Sequence, residues 1–380
     1  MPRKCNHPIT EKDIQGFKYL RAFDDLLEPL RQIPAHGNRQ FHIDQYVSLL
    51  LLYFFNPVLT SLRGLQQATG LENVQKALNV KNMSLGAMSE SAANVFDPEL
   101  LVPVIKSVMD KIKPENQDEF LKNLPGIPIA VDGSFLRCLP KMLWAVFRTQ
   151  SDKKGVRMHI QFDLLRDIPS NVDITVALSS EKKNLRKHLK AGALYVMDRG
   201  FIDYDLFDFI DRSGSYFVAR LKNNSSYEVM ESLSASPEDV AAGVICDQKV
   251  IMGSEFTKGK MTTAVRRVVI RDPEKDSEII LLTNTDLTGE QLSMLYRYRW
   301  QVELFFRWFK CILGCTHWLS NSQSGLTLQV YTAILASLLI RLWTGRKPTK
   351  RTFEMICLFF QGWASQAELI AHIQSLQKTV

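Results

Sequence analysis

Apolar positions recur at three- and four-residue spacing through YVSLLLLYF and LVPVIKSVMDKI, with polar turns between them. Residues 1–122 therefore read as helical. Inside that region, TSLRGLQQATGLENVQKALNVKNMSLGAMSESAANVF has the spacing of a helix-turn-helix, with Ser84 to Phe96 as its second helix. After Pro125 the period shortens. IPIAVDGSF is an apolar run that predicts a strand ended by Asp132-Gly133. RMHIQFDLL and NVDITVAL alternate like paired strands joined by a turn at Arg166 to Ser170, and EKKNLRKHLK reads as a helix. ALYVMDRGF repeats the first design, an apolar strand ended by Asp198, and a helix at Tyr204 to Arg212 and the strand YFVARL follow. Between about Lys222 and Asp286 three β-like runs stand out, VICDQKVIMG, TTAVRRVVIR and EIILLTN, and no helix is expected past the first turn or two. Neither Pro nor Gly interrupts Glu290 to Leu313, which predicts one long helix. GLTLQVYTAILASLLIRLW and the tail from Thr349 are helical as well.

These patterns divide the chain into a helical N-terminal region (1–122), a mixed α/β core in two parts (123–222 and 288–345), a β-rich insertion between them (223–287), and a helical tail (346–380). At 380 residues with 46% hydrophobic and 23% charged side chains, the composition is that of a globular protein of two or three domains. VSLLLLYFFNPVL and YTAILASLLIRLW are too short to span a bilayer and are expected to be buried helices. MPRKCNHPITEKD has no apolar core, so no signal peptide is expected. Six scattered cysteines suit a reducing compartment, and the expected location is cytoplasmic with no membrane partner. Cys311, Cys315 and His317 lack a fourth zinc ligand at a usual spacing and are expected to be reduced packing residues.

The net charge of +7 suits a polyanion partner, and its placement says more than its size. Arg137 to Arg157 holds six Lys or Arg and one Asp. Lys182, Lys183, Arg186, Lys187 and Lys190 form a second cluster, and Arg341, Arg346, Lys347, Lys350 and Arg351 a third, neither with an acid inside it. Three separated clusters describe a lined groove better than an even coat.

YRYRWQVELFFRWFK, residues 296–310, adds a fourth basic stretch around one acid. At about 100° per residue, Tyr296, Arg299, Glu303, Arg307 and Lys310 share one stripe, and Tyr298, Val302, Phe305, Phe309 and Ile312 lie opposite. The bland reading of such a stripe is a solvated face with Arg299–Glu303 and Glu303–Arg307 ion pairs. A sharper one follows from the two Asp-ended strands. Side chains at the carboxyl ends of buried strands form sites, so neighbouring strands would set Asp132 beside Asp198, and the helix could bring Glu303 to them. Three carboxylates that close cannot all ionise without a cation. Hard ions such as Mg²⁺, with Mn²⁺ as a substitute, use carboxylates, water and phosphate oxygens. A pair of them about 3.5–4 Å apart can cleave a phosphodiester. Arg and Lys beside Glu303 would then anchor the phosphate chain. Arg220 and Lys222, at the end of the last core strand, are further candidate backbone contacts.

Tyr296, Arg299, Glu303 and Lys310 also match Y-x2-R-x3-E-x6-K, and in this the chain resembles the insertion-sequence-4 family of DDE transposases. AVDGSF looks like that family's first-Asp block and VMDRGFIDYDLF like its second, with 198 − 132 = 66 and 303 − 198 = 105 residues between the acids. The likeness covers roughly residues 125–345 by this motif order. It implies an RNase H-like core split by a β-rich insertion. It also implies a metal-binding triad of Asp132, Asp198 and Glu303, with Tyr296, Arg299 and Lys310 on DNA phosphates. The implied activity is cleavage of DNA at the element's end, followed by attack of the freed 3′-hydroxyl on target DNA. A homodimer that synapses two terminal repeats, end binding by the N-terminal region, and a nucleoid-associated bacterial protein are implied too. Some members pass through a hairpin with a flipped base held by an aromatic in the insertion. This insertion contains no Trp, and Tyr227 and Phe256 are its only aromatics from about 224 to 286, so the hairpin step stays open. The rival reading is a catalytically inactive, transposase-derived DNA-binding protein, which would share the basic clusters and a steep salt dependence. A two-carboxylate glycosidase is a distant third.

Overall fold

The computed structural model describes residues 24–34, 39–114, 118–139, 141–148, 151–253, 259–272, 277–311, 314, 317–345, 347 and 349–377. At its centre is one mixed sheet. Its strands are β1 (Ile127–Arg137), β2 (Val146–Arg148), β3 (Ser151–Asp163), β4 (Ile168–Val176), β5 (Ala193–Met197), β6 (Tyr216–Arg220), β7 (Tyr227–Ser232), β8 (Val244–Met252), β9 (Val265–Asp272) and β10 (Ser277–Thr283). β1, β5 and β6 run parallel, β3 is antiparallel to β1, and β4 is antiparallel to β3. Beyond β6 the order continues β10, β9, β8, β7, every pair antiparallel.

The sequence dictates why this sheet is covered on both sides. Along β1, Ala130 and Leu136 pack with Met158, Ile160, Phe162 and the large helical cluster on one face. Ile129 and Val131, at the alternate positions, pack with Leu185, Tyr195 and Phe207 on the other. All five residues of β5 are buried, as expected of a parallel strand between two layers. β1 and β5 also approach closely at their starts, where a Cβ on Gly126 would lie 2.6 Å from the Gly192 carbonyl oxygen. Backbone cannot yield there as a side-chain tip would, so Gly126→Ala should cost about 1–3 kcal/mol, read as a lowered urea midpoint with unchanged m.

Four expectations need correction. β1 does not stop at Asp132: its pairing with β3 continues to Arg137 opposite Gly155, and only the parallel partner β5 ends there. The β-rich segment continues the same sheet, because β10 hydrogen-bonds β6 from Leu281 opposite Arg220 to Thr283 opposite Val218. The three runs read from the sequence are β8, β9 and β10, but β7 and a short helix at Pro237–Ala241 were not expected. β7 is exposed at all six residues and gives no alternation to read. The helix is marked by Ser236, whose hydroxyl accepts from the Asp239 N–H at 3.1 Å, and by Pro237 in its first turn.

The run from Glu290 forms two abutting helices, Gly289–Tyr298 and Trp300–Cys311. At the joint the Arg299 N–H bonds Tyr296 O at 3.2 Å and the Val302 N–H bonds Arg299 O at 3.2 Å, a tighter three-residue spacing that ends one α-helix and starts the next. Finally, the helix Gln323–Thr344 has 22 residues, long and apolar enough to cross a membrane, contrary to the sequence estimate. Its surroundings identify it as a core helix, since 94% of its apolar window is buried inside the protein.

That helix packs against Ile43–Phe55 and Leu101–Lys111, so the N-terminal region shares one core with the sheet. In the proposed helix-turn-helix segment, short helices form at Leu62–Ala68, Glu72–Leu78 and Leu85–Glu90, the last extended by a π turn to Val95. Met88 and Ala92 anchor it, and Ser84 caps it by accepting from the Ala87 N–H at 3.1 Å. The tail is helical over Lys350–Phe360 and Gln366–Gln377, as expected.

Candidate active site

Register builds the site. Val131 of β1 stands opposite Met197 of β5, and Met197 opposite Ala219 of β6. The next residues, Asp132, Asp198 and Arg220, therefore line up across the carboxyl ends of three parallel strands. Side chains alternate along β1, which puts Asp132 on the Ala130 side of the sheet. The Trp300–Cys311 helix packs on that side through Val302, Phe305 and Phe309 and carries Glu303 on its outer stripe.

Arg299, at the joint of the two helices, connects these groups. Its Nη1 lies 3.8 Å from Asp132 Oδ2, and its Nη2 donates to Glu303 Oε1. The guanidinium side chain is 13% exposed, against 22% for Asp132 and 31% for Glu303. Burial pushes the Asp132 carboxyl up to about 6, opposed by the Gly133 N–H and Arg299; Asp198 and Glu303 push it further up. Both other acids thus bear on Asp132. The same Arg299 side chain leaves its Nε–H buried without a partner, and the Tyr296 hydroxyl is buried without one as well. The guanidinium carbon sits 5.5 Å from the centre of the Tyr296 ring.

Each Asp is also tied to its own turn. Asp132 Oδ1 accepts from the Gly133 N–H and Asp198 Oδ1 from the Gly200 N–H, both at 2.7 Å. Asp198 caps the short 3₁₀ turn Arg199–Phe201, and a Cβ on Gly200 would fall 2.9 Å from its Oδ1. The turn role and the site role therefore coexist. Lys310 is half-buried; burial lowers the pKa of its ammonium, and Asp132 is among the groups that oppose the shift. Arg307 is exposed and makes no ion pair among the described residues. Arg220 is half-buried and Lys222 exposed, so both can meet a ligand along the sheet end. Trp300 is 50% exposed beside the site, whereas Trp308 is buried in the core.

The family described as "Transposase DDE domain" matches residues 125–339, more than half of the chain. The chain belongs to that family. It is 26% identical over 190 residues to a Sinorhizobium fredii protein named as transposase y4zB, covering 50% of this chain and 53% of that one. Similarity to the Geobacillus stearothermophilus transposase of insertion sequence element IS5377 is 25% over 213 residues, 56% and 55% of the two chains. To that of element IS4SA from Synechocystis it is 23% over 295 residues, 73% and 77%. The chain spans about half the length of the first two relatives. Among solved structures, the piggyBac transposase synaptic complex with hairpin DNA aligns over 98% of this chain and 80% of that one, at 12% identity and a TM-score of 0.45.

The transposase DDE domain match contains every strand and all three candidate acids. Asp132, Asp198 and Glu303 come to one end of the sheet, but among the described residues no three His, Cys, Asp or Glu side chains close into a metal-binding group. Arg299 stands between Asp132 and Glu303 instead. The Glu303–Arg307 pair is not among the described ion pairs, and the solvated-face reading survives only as Arg299–Glu303. Cys311 is exposed, not packed, while Cys315 and Phe256 lie outside the described residues. Tyr227 is on the β7 edge with the Arg267 guanidinium 4.5 Å above its ring.

A polar layer lies beneath β1, where His159 and His188 each have an ordinary side-chain partner. His159 Nε2 bonds Thr175 Oγ1 at 2.8 Å, Arg157 pairs with Glu181 at 2.6 Å, and His188 lies 3.5 Å from Asp173. Burial lowers the His159 pKa to about 4, so it is neutral at pH 7. The signal was legible in RMHIQFD, where Arg157, His159, Gln161 and Asp163 take every second place on one face of β3.

Proposed function

We propose that this chain is a DNA transposase of the insertion-sequence-4 type that cuts the ends of its own element and joins the freed 3′-hydroxyl to target DNA. One observation supports this reading above the others: Asp132 and Asp198 follow directly on paired residues of adjacent parallel strands, and Arg299 links Asp132 to Glu303. The strand order β4-β3-β1-β5-β6, antiparallel then parallel, supports an RNase H-like core.

The donor type fits Mg²⁺ or Mn²⁺, since carboxylates suit a hard divalent ion, and Arg299 would have to give up Asp132 and Glu303 for the three to close around one. Asp132, Asp198 and Glu303 would hold such ions, whose chemistry would be activation of the attacking oxygen and charge neutralisation at the leaving one. The protein's part is to hold Asp132 and Asp198 on rigid strands and Glu303 on a helix docked by Val302, Phe305 and Phe309. Arg299, Lys310 and Arg307 then present cations to phosphate oxygens, Tyr296 a hydroxyl, and Arg220 and Lys222 extend that track along the sheet end. The N-terminal helices would bind the terminal repeats, and two copies would synapse two ends on the bacterial nucleoid.

The test uses DNA carrying the ends of the element that encodes the chain. Strand cleavage at those ends is expected with Mg²⁺ or Mn²⁺ and none in EDTA, while retardation of the same DNA persists in EDTA and falls steeply with salt. Binding with no cleavage in either ion would favour the inactive, DNA-binding reading.

A further inference from the structure

We infer that Arg299 is an internal counter-ion for the Asp132–Glu303 pair, which keeps the divalent-cation site closed until DNA draws the guanidinium away. The inference rests on the transposase reading of the site and concerns what that reading leaves open, namely the state of the site before DNA arrives.

Geometry carries it. One guanidinium reaches both acids, Nη1 at 3.8 Å from Asp132 Oδ2 and Nη2 hydrogen-bonded to Glu303 Oε1. A single cation between two carboxylates is what a metal ion would otherwise supply, and the two occupants exclude each other by charge as well as by space. The Arg299 position also costs the protein something. Its Nε–H is buried with no acceptor, and one turn back the Tyr296 hydroxyl is buried with none. Both orphans lie at the joint beside the acids, with the Arg299 guanidinium 5.5 Å from the Tyr296 ring, and a phosphate diester offers the acceptors they lack. The joint at Arg299, where the helix tightens to three-residue spacing, places the side chain where a modest rotation trades Asp132 for a phosphate while Glu303 stays on its own helix. DNA binding and cation binding are then coupled: each favours the state in which Arg299 has left the acids.

The coupling is reciprocal, so it can be read from cation binding alone. Mn²⁺ affinity would be measured by electron paramagnetic resonance on the full chain, with and without a duplex carrying the element's end. The forms compared would be wild type, Arg299→Gln, Arg299→Gln/Glu303→Ala and Asp132→Ala. Without DNA, Arg299→Gln should bind Mn²⁺ about tenfold or more tightly than wild type, within the usual span of coupling energies. The duplex should raise the wild-type affinity by about the same factor and shift that of Arg299→Gln by less than about threefold. The added Glu303→Ala change should abolish the gain. Equal or weaker binding by Arg299→Gln in the absence of DNA overturns the inference. So does a wild-type affinity that the duplex leaves unchanged, a result that needs no variant to fold. In either case the transposase reading stands as long as Asp132→Ala abolishes Mn²⁺ binding. Binding indifferent to Asp132→Ala in every form would instead remove the reading itself.

Discussion

Glu303→Ala should reduce strand cleavage by at least about a thousandfold, or about 4 kcal/mol of barrier, while end-DNA retardation changes only a few-fold. The two readouts separate because Glu303 contributes a negative charge to the site and no attraction to phosphate. Its loss frees Arg299 Nη2 from its carboxylate partner, so affinity for DNA should hold steady or rise. Glu303→Gln, of the same shape without the charge, should behave like Ala for cleavage; a variant that merely unfolded the site would not distinguish the two. Asp132→Ala and Asp198→Ala should match it, since the three acids share the end of one sheet. The assignment is falsified if Glu303→Ala cleaves at the wild-type rate.

The largest effect on stability is expected at a distance from the acids. Arg266 of β9 donates through Nε to both oxygens of Asp247 on β8, at 2.9 and 3.1 Å, and through Nη1 to the Leu287 carbonyl just before the Gly289–Tyr298 helix. The carboxylate side chain is 2% exposed and the guanidinium 15%. Asp247→Ala leaves that guanidinium charged, desolvated and unpaired, because its partner is the main reason its pKa is raised. A cost of about 3–5 kcal/mol follows, measurable as a shift of the urea midpoint. The double variant Asp247→Leu/Arg266→Met, which removes both charges, should recover much of it. A midpoint for Asp247→Ala within error of wild type would show that Arg266 finds another acceptor.

How far the sequence revealed all this depended on which physical term dominated each segment. IPIAV and ALYVM were legible because burial on both faces leaves a solid apolar run, and the Asp after each marks where water begins. Their adjacency was a guess that only backbone pairing could decide. The helix stripe was legible from spacing, and it placed Arg299 and Glu303 on one side. That Arg299 would turn to Asp132 was not, because a long side chain's partner is chosen by tertiary approach. β7 was missed because nothing on YEVMES is buried, and the length of the Gln323–Thr344 helix because a purely apolar window gives no sign of where its ends lie.

The hydrogen bonds between β6 and β10 have a consequence for descent. A strand held on both sides can take an extra residue only as a local bulge against its neighbours, as β8 does against β9 at Val244 to Cys246, and β10, β9 and β8 are all held so. Among the described residues β7 pairs with β8 alone, which makes it the free margin of that half of the sheet. Lineages of this protein that differ in length between the two halves of the core should therefore have grown or shrunk at β7 and the turns around it, strand by strand outward. The acids at the other end of the register would feel none of it.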